Sequence, residues 1–230
     1  PAPPFTVLKS IYAVPAGAYV SCRAGEMPRL QRYWTLLDEV GKHDFTGRTE
    51  LQIADQLRET LMEAVRRRMM SDRPVGLFLS GGVDSTSLLA CMAALGFRDV
   101  KSFSIGYADE QTRRTADEFD FARTAAKEFE STHTLLRSNP TRLEEFANTC
   151  DLPIENLAEF WLWEMAESAK RADVSVMLHG EGADELLFGY DFHWSVLSER
   201  ERVQTDPRHA LDLQIDSGIP QDLWSSAKGN

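Results

Sequence analysis

The chain has 230 residues, 36 of them acidic and 25 basic, for a formal charge of −11. That balance argues against broad nucleic-acid binding, where attraction to phosphate supplies most of the affinity. No apolar stretch approaches the roughly 20 residues of a membrane span, no secretory signal opens the chain, and three scattered cysteines, Cys22, Cys91 and Cys150, suit a reducing cytoplasm.

In chain order, residues 1–48 read as a linker and the end of an upstream domain. Pro1 to Pro4 is extended, Ile11 to Gly17 suggests a turn, Ala18 to Val20 a short strand, and nothing there closes a core. A surface arm of the main domain is the alternative. From Thr49, a candidate N-cap, the pattern turns helical, with Leu51, Ala54, Leu57, Leu61, Ala64 and Val65 on one face. Arg66 to Arg68 at its end reads as cations favourable at a helix C-terminus rather than as a nucleic-acid patch. Val75 to Leu79 is a buried strand ending in Ser80-Gly81-Gly82, and a helix runs on through Leu88, Leu89 and Met92. Val100 to Gly106, Ser131 to Leu136 and Val174 to Leu178 are further strands. Helical stretches lie between them, from Glu118 to Phe129, around Leu143 to Ala147 and from Glu159 to Ala169. Residues 49–200 therefore read as an α/β domain with a mainly parallel sheet flanked by helices, and 201–230 as a polar tail or truncated helical part.

Two stretches carry chemistry. In Ser80-Gly-Gly-Val-Asp-Ser-Thr86 a strand ends in glycines at a helix start, where unpaired backbone N–H groups and the helix dipole suit phosphate oxygens. The loop lacks the lysine of a Walker loop. Asp84 amid an anion site makes sense with a divalent cation between carboxylate and phosphate, magnesium being the usual ion. The plainer alternative makes Asp84 an ordinary N-cap. The second stretch, His179-Gly-Glu-Gly-Ala-Asp-Glu-Leu-Leu-Phe-Gly-Tyr190, sets Glu181, Asp184 and Glu185 at another strand end. Acids in a first helical turn offset the dipole, which explains one or two of them. Three beside two glycines point to a cation or amine that relieves their repulsion. Both turns follow strands, so both belong at the carboxyl edge of one sheet, where α/β proteins bind ligands.

Together with the strand Phe103-Ser-Ile-Gly106, these motifs resemble the synthetase (ATP pyrophosphatase) domain of glutamine-dependent asparagine synthetases, over about Ile11 to Tyr190. The resemblance implies a three-layer, adenine nucleotide alpha-hydrolase-like fold, apparently incomplete at the C-terminus, and makes residues 1–48 the end of a glutaminase-type domain. It implies ATP and Mg2+ as cofactors, a carboxylate substrate (aspartate first) and ammonia from a glutaminase domain or subunit, with a homodimer as a possible assembly. The carboxylate attacks the α-phosphorus, pyrophosphate leaves, and an amine converts the acyl-adenylate to an amide and AMP.

By position, Leu79, Ser80, Gly81, Gly82, Asp84, Ser85, Ile105, His179 and Gly180 would hold the nucleotide, and Asp84 and Asp184 the metal. Glu181 would act in adenylation and in handling the amine, beside Asp84 and Asp184 as catalytic residues. Asp117, Glu118 and Arg123 resemble a segment near the substrate, and Asp151 to Glu155 lies where substrate contacts begin. His133 is expected to pack rather than react, and Trp161 and Trp163 to lie in the core. The chain departs from the family pattern in three ways: no glutaminase domain precedes it, no counterpart of the basic phosphate contact follows Tyr190, and His179, Leu187 and Phe188 replace Ser, Phe and Gly. A fragment, split subunit or decayed copy is the resulting expectation. A non-catalytic nucleotide-binding remnant and a relative acting on a β-lactam or lasso-peptide precursor are the alternatives to an asparagine-forming enzyme, and the acidic balance disfavours a tRNA-modifying one.

Overall fold

The computed structural model describes residues 4–42, 44–106, 113–151, 153 and 156–190, with backbone only for 113–118. Arg48–Tyr190 forms one compact unit, and residues 1–47 belong to another. In the latter, β1 (Ala18–Ser21) and β2 (Arg29–Arg32) form an antiparallel ribbon in the register Ala18 to Arg32. Gly17 closes the ribbon's end: its carbonyl accepts from the N–H groups of Tyr33 (2.8 Å) and Trp34 (3.1 Å). The ribbon residues are half-buried to exposed, so the ribbon builds no core of its own.

The larger unit begins with α1 (Glu50–Arg68), whose start is fixed by a reciprocal capping box. The Thr49 hydroxyl accepts from the Gln52 N–H at 3.3 Å, and the Gln52 side chain accepts from the Thr49 N–H at 2.9 Å; such a cap contributes about 1 kcal/mol. At its far end Glu63 accepts from Arg66 and Arg67, each at 2.7 Å, and Arg68 bonds the Ala64 carbonyl. These bonds, Arg66's first, hold the Glu63 carboxyl at about 2. The arginine run thus closes its own helix.

Next come β3 (Val75–Phe78), α2 (Val83–Ala94), β4 (Lys101–Gly106), α3 (Arg113–Glu128) and β5 (Thr132–Arg137). They are followed by α4 (Leu143–Ala147), α5 (Ala158–Arg171), β6 (Val176–Leu178) and α6 (Ala183–Leu187). The four strands pair in the order β5-β4-β3-β6, every pair parallel. Registers such as Leu77 to Ser102, Leu77 to Leu178 and Ser104 to Leu135 align their carboxyl ends at one edge.

The sheet is covered on both faces, as a parallel sheet must be. On one, Leu77, Leu79 and Val100 pack with Val65 of α1, Leu89 and Met92 of α2 and Ala122, Ala125 and Ala126 of α3. On the other, Phe103 packs with Ala169 of α5 and with Val174, flanked by Phe78, Leu136 and Met177. This is the expected three-layer α/β fold. Leu77, Met92 and Phe103 are fully buried, and each such side chain contributes about 1.5–3 kcal/mol.

The expected strand ends shift by one or two residues, because pairing rather than hydrophobicity sets them. The helix expected at Glu118 begins at Arg113. The expected tail, residues 201–230, lies outside the described residues, as do Leu152, Ile154 and Glu155 of the loop at 151–155 and the side chains of Asp117 and Glu118. Among the described residues no helix is long and apolar enough to cross a membrane, and Cys22, Cys91 and Cys150 are free thiols, with burial pushing Cys91 up.

Candidate active site

The glycine loop leaves β3 at its carboxyl end. Leu79 still belongs to the sheet, its N–H donating to Phe103 at 2.8 Å. Beyond it Gly81 turns with φ +89°, a left-handed conformation that a side chain disfavours. The two serines of the motif brace the turn from inside. The Ser80 N–H donates to Ser85 Oγ at 3.2 Å, the two hydroxyls lie 3.0 Å apart, and the Gly82 N–H donates to Ser80 Oγ at 3.2 Å. Gly82, not Asp84, is the N-cap of α2, and no side chain caps the helix. The plain N-cap alternative for Asp84 is thereby overturned: its carboxylate lies in the first turn, half-buried, and leaves the orphan N–H groups there without a side-chain acceptor.

The second turn leaves β6 beside it. A Cβ built on Gly180 would lie 3.0 Å from Asp84 Cβ and 3.0 Å from the Ser85 backbone nitrogen, so only glycine lets the two turns touch without displacement. Asp184 and Glu185 occupy the first turn of α6. Gly189 closes back on that turn, its N–H donating to the Asp184 carbonyl at 3.0 Å, and a Cβ there would strike the Asp184 carboxylate. The Tyr190 hydroxyl donates to Glu185 at 2.9 Å, a bond that raises the phenol above its ordinary value. His179 Nδ1 lies 3.2 Å from Glu181 Oε2, both side chains being exposed.

These turns enclose one cavity of about 410 Å³ at the carboxyl edge of the sheet. Leu79, Ser80, Gly82, Asp84, Ser85, Ile105, His179, Gly180, Glu181 and Asp184 all line it. Gly81 lines a neighbouring recess with Val83 and Phe121 instead. The structure therefore brings the residues singled out in the sequence to one place. Their arrangement is polar and acidic on the rim and apolar within, where Phe78, Phe103, Phe119, Trp161, Leu162 and Met165 contribute. Among the described residues no three His, Cys, Asp or Glu side chains cluster as a complete metal cage.

Trp161 corrects an expectation. It lines the cavity, whereas Trp163, two residues on and across the helix, packs with Phe146 and Phe160 and under the Arg142 guanidinium at 4.4 Å. The spacing Trp161, Met165 marks one helix face, but spacing alone does not say which face meets a cavity. Arg123 pairs with Asp120 at 3.5 Å on the exposed side of α3.

Behind the cavity runs a polar seam that no motif announces. The Ser104 hydroxyl donates to the Leu79 carbonyl, His133 Nε2 lies 3.4 Å from Ser104 Oγ, and His133 Nδ1 lies 3.0 Å from Ser102 Oγ. Ser131 Oγ lies 2.7 Å from Ser102 Oγ and also donates to the Val100 carbonyl. Because Ser104 gives its proton to Leu79, its oxygen is the acceptor toward the ring, whose two nitrogens thus each face a serine hydroxyl. Burial, and then the Arg123 charge, lower the pKa of His133 from the ordinary 6.5. On α5, buried Glu164 takes 2.6 Å and 2.9 Å bonds from the Ser138 hydroxyl and the Asn139 N–H, tying that helix to the end of β5.

A parallel sheet whose glycine-bearing turns meet around a cavity at its carboxyl edge defines the class, a ligand-binding α/β domain. The chain belongs to the asparagine synthase family, whose model matches residues 56–226. The amidase chyE of Penicillium rubens is 29% identical over 242 residues, covering 93% of this chain and 35% of that protein. Asparagine synthetase [glutamine-hydrolyzing] 1 of Bacillus subtilis is 31% identical over 183 residues, covering 76% and 27%. The chain thus spans about a third of the length of the curated relatives it matches. An NH3-dependent NAD synthetase of Campylobacter jejuni superposes with a TM-score of 0.42 at 17% identity, over 59% of this chain and 60% of that one.

Proposed function

We propose that this chain is the ATP-binding part of an AMP-forming amide ligase. It would join a carboxylate, aspartate being the first candidate, to ammonia or another amine through an acyl-adenylate. The observation that carries this reading is the contact between Gly180 and Asp84–Ser85, which puts two chemically distinct turns on one cavity.

Each part has a role. The first-turn N–H groups of α2 and the Ser80–Ser85 loop receive the β- and γ-phosphates. The apolar wall suits a base, framed by backbone groups at Leu79, Ile105 and the His179–Gly180 turn. Asp84 and Asp184, both half-buried and lining the cavity, would hold a magnesium ion, which usually needs only one or two carboxylates. When bound, magnesium would screen the triphosphate and the departing pyrophosphate. With charge screened, the chain's own task is to hold the carboxylate in line with the α-phosphorus and then admit the amine. Glu181, exposed on the rim, would take part in both steps.

A second reading is favoured by the relatives themselves. Two that match over most of this chain, from Penicillium rubens and Gibberella zeae, are named amidases rather than asparagine synthetases. They favour a specialised carboxylate with the same two-step chemistry. Pyrophosphate–ATP exchange with aspartate and a panel of other carboxylates separates the readings. Exchange with aspartate supports the first and exchange with another acid the second, whereas none with any acid leaves a nucleotide-binding remnant. Glu181→Gln is expected to keep calorimetric Mg-ATP binding while cutting exchange at least tenfold; full exchange in that variant removes Glu181 from the chemistry.

A further inference from the structure

The polar seam behind the cavity and the brace inside the glycine loop meet at one peptide group. Leu79 follows β3 directly, and its N–H still donates to the Phe103 carbonyl at 2.8 Å. Its own carbonyl takes the hydroxyl of Ser104, a β4 side chain only 3% exposed. The N–H on the other side of that peptide belongs to Ser80 and donates to Ser85 Oγ at 3.2 Å. A peptide group is planar, so fixing the carbonyl on one side fixes the direction of the N–H on the other. From Ser85 the contacts run on to Ser80 Oγ at 3.0 Å, and from there to the Gly82 N–H at 3.2 Å, where α2 starts.

We propose that Ser104 is the positioning residue of the glycine loop and that His133 sets the direction of its hydroxyl. The inference rests on the ligase reading above, which makes that loop the seat of the phosphates. A serine hydroxyl rotates to suit its neighbours unless one of them selects a direction. With His133 Nε2 at 3.4 Å from its oxygen, the Ser104 hydroxyl turns its proton to Leu79. The ring is held from behind by Ser102 Oγ at 3.0 Å from Nδ1, and Ser102 is itself fully buried, 2.7 Å from Ser131 Oγ. Satisfying buried polar groups accounts for a seam of this kind. It does not account for where the seam ends, on the peptide that also braces the loop. Ser104 lines the cavity and His133 does not, so the effect of the ring on a ligand passes through Ser104.

The test is calorimetric binding of Mg-ATP to the full chain, with urea unfolding to establish that each variant is folded. Ser104→Ala should weaken binding roughly tenfold, the size of one lost hydrogen bond. His133→Leu should weaken it to a similar degree, whereas His133→Gln, whose amide still donates towards Ser104, should stay within about threefold of the unmodified chain. The double variant Ser104→Ala/His133→Leu should bind no more weakly than Ser104→Ala alone, since coupled residues do not add. Magnesium pyrophosphate, which lacks the base, should follow the same order. A purely structural role predicts additive losses and no rescue by glutamine. Undiminished binding in Ser104→Ala, or additive losses in the double variant, overturns the assignment and leaves the ligase reading intact. If His133→Leu does not fold, Ser104→Ala and His133→Gln decide: equal losses, or none in the first, overturn it. An unmodified chain that binds no Mg-ATP overturns the ligase reading, and this inference with it.

Discussion

His133 stands on one outer strand of the sheet and His179 follows the other, and their surroundings have little in common. His133 stands on β5 with each ring nitrogen against a serine hydroxyl, its bonds continuing through Ser104 to the carbonyl of Leu79. His179 stands on the turn after β6, exposed, with one nitrogen on Glu181. The difference separates a ring that braces the sheet from one that lines the cavity. A ring whose two nitrogens are both engaged cannot change its proton without breaking a bond, so it fixes geometry. What His133 fixes is where β3 ends, because Leu79 immediately precedes the glycine loop.

The largest effect expected from breaking this comparison is on the buried side. His133→Ala removes the ring's contacts with both Ser104 and Ser102, and leaves a gap between β4 and β5. It should cost about 2 kcal/mol in urea unfolding. It should also weaken Mg-ATP binding, through a Leu79 carbonyl no longer held by an oriented Ser104. A variant of undiminished stability would mean that the seam is incidental.

A smaller effect should appear with pH. Burial, followed by the Arg123 charge, lowers the folded-state pKa of His133 below the ordinary 6.5. The unfolded chain therefore binds the proton first as pH falls. The ring's contribution is fully present above about 6.5 and is lost as pH drops through that value towards the lower folded one. The slope cannot exceed the one-proton limit of about 1.4 kcal/mol per pH unit, and a half-buried ring should show less. Urea midpoints measured between pH 8 and 5 should fall more steeply for the unmodified chain than for His133→Gln. Parallel curves would assign the pH response to other groups.

The two histidines also divide what was legible in the sequence from what was not. The strands and both turns could be read because short apolar runs ending in glycine have few other uses, and their common edge followed from the α/β alternation. Asp84, Glu181 and Asp184 were legible through their positions beside those glycines. The seam was not, because it depends on the register that sets Ser102 opposite His133, and strand pairing leaves no local signature. Nor was the cavity wall on α5. Trp161 and Trp163 are equally aromatic, and only the packing of Phe146 and Phe160 around Trp163 decides which of them is left to face the cavity. Buried Glu164 was hidden for the same reason, its partners Ser138 and Asn139 lying 25 or more residues away.

The smallest effect belongs to the exposed ring. His179→Ala deletes a side chain that is 46% exposed and whose carboxylate partner is 71% exposed. Water takes the place of the exposed ring, and no core volume is vacated. Surface substitutions of this kind usually stay within about 0.5 kcal/mol. The urea midpoint of the variant should therefore match that of the unmodified chain within that margin, at a pH above 7 where His133 contributes fully. The prediction sharpens the contrast because the two substitutions act in different places, His133→Ala on the packing of the sheet and His179→Ala on the cavity wall alone. A loss above 1 kcal/mol would give the His179–Glu181 pair a share in holding the turn against Asp84, and the two histidines would then differ in degree and not in kind.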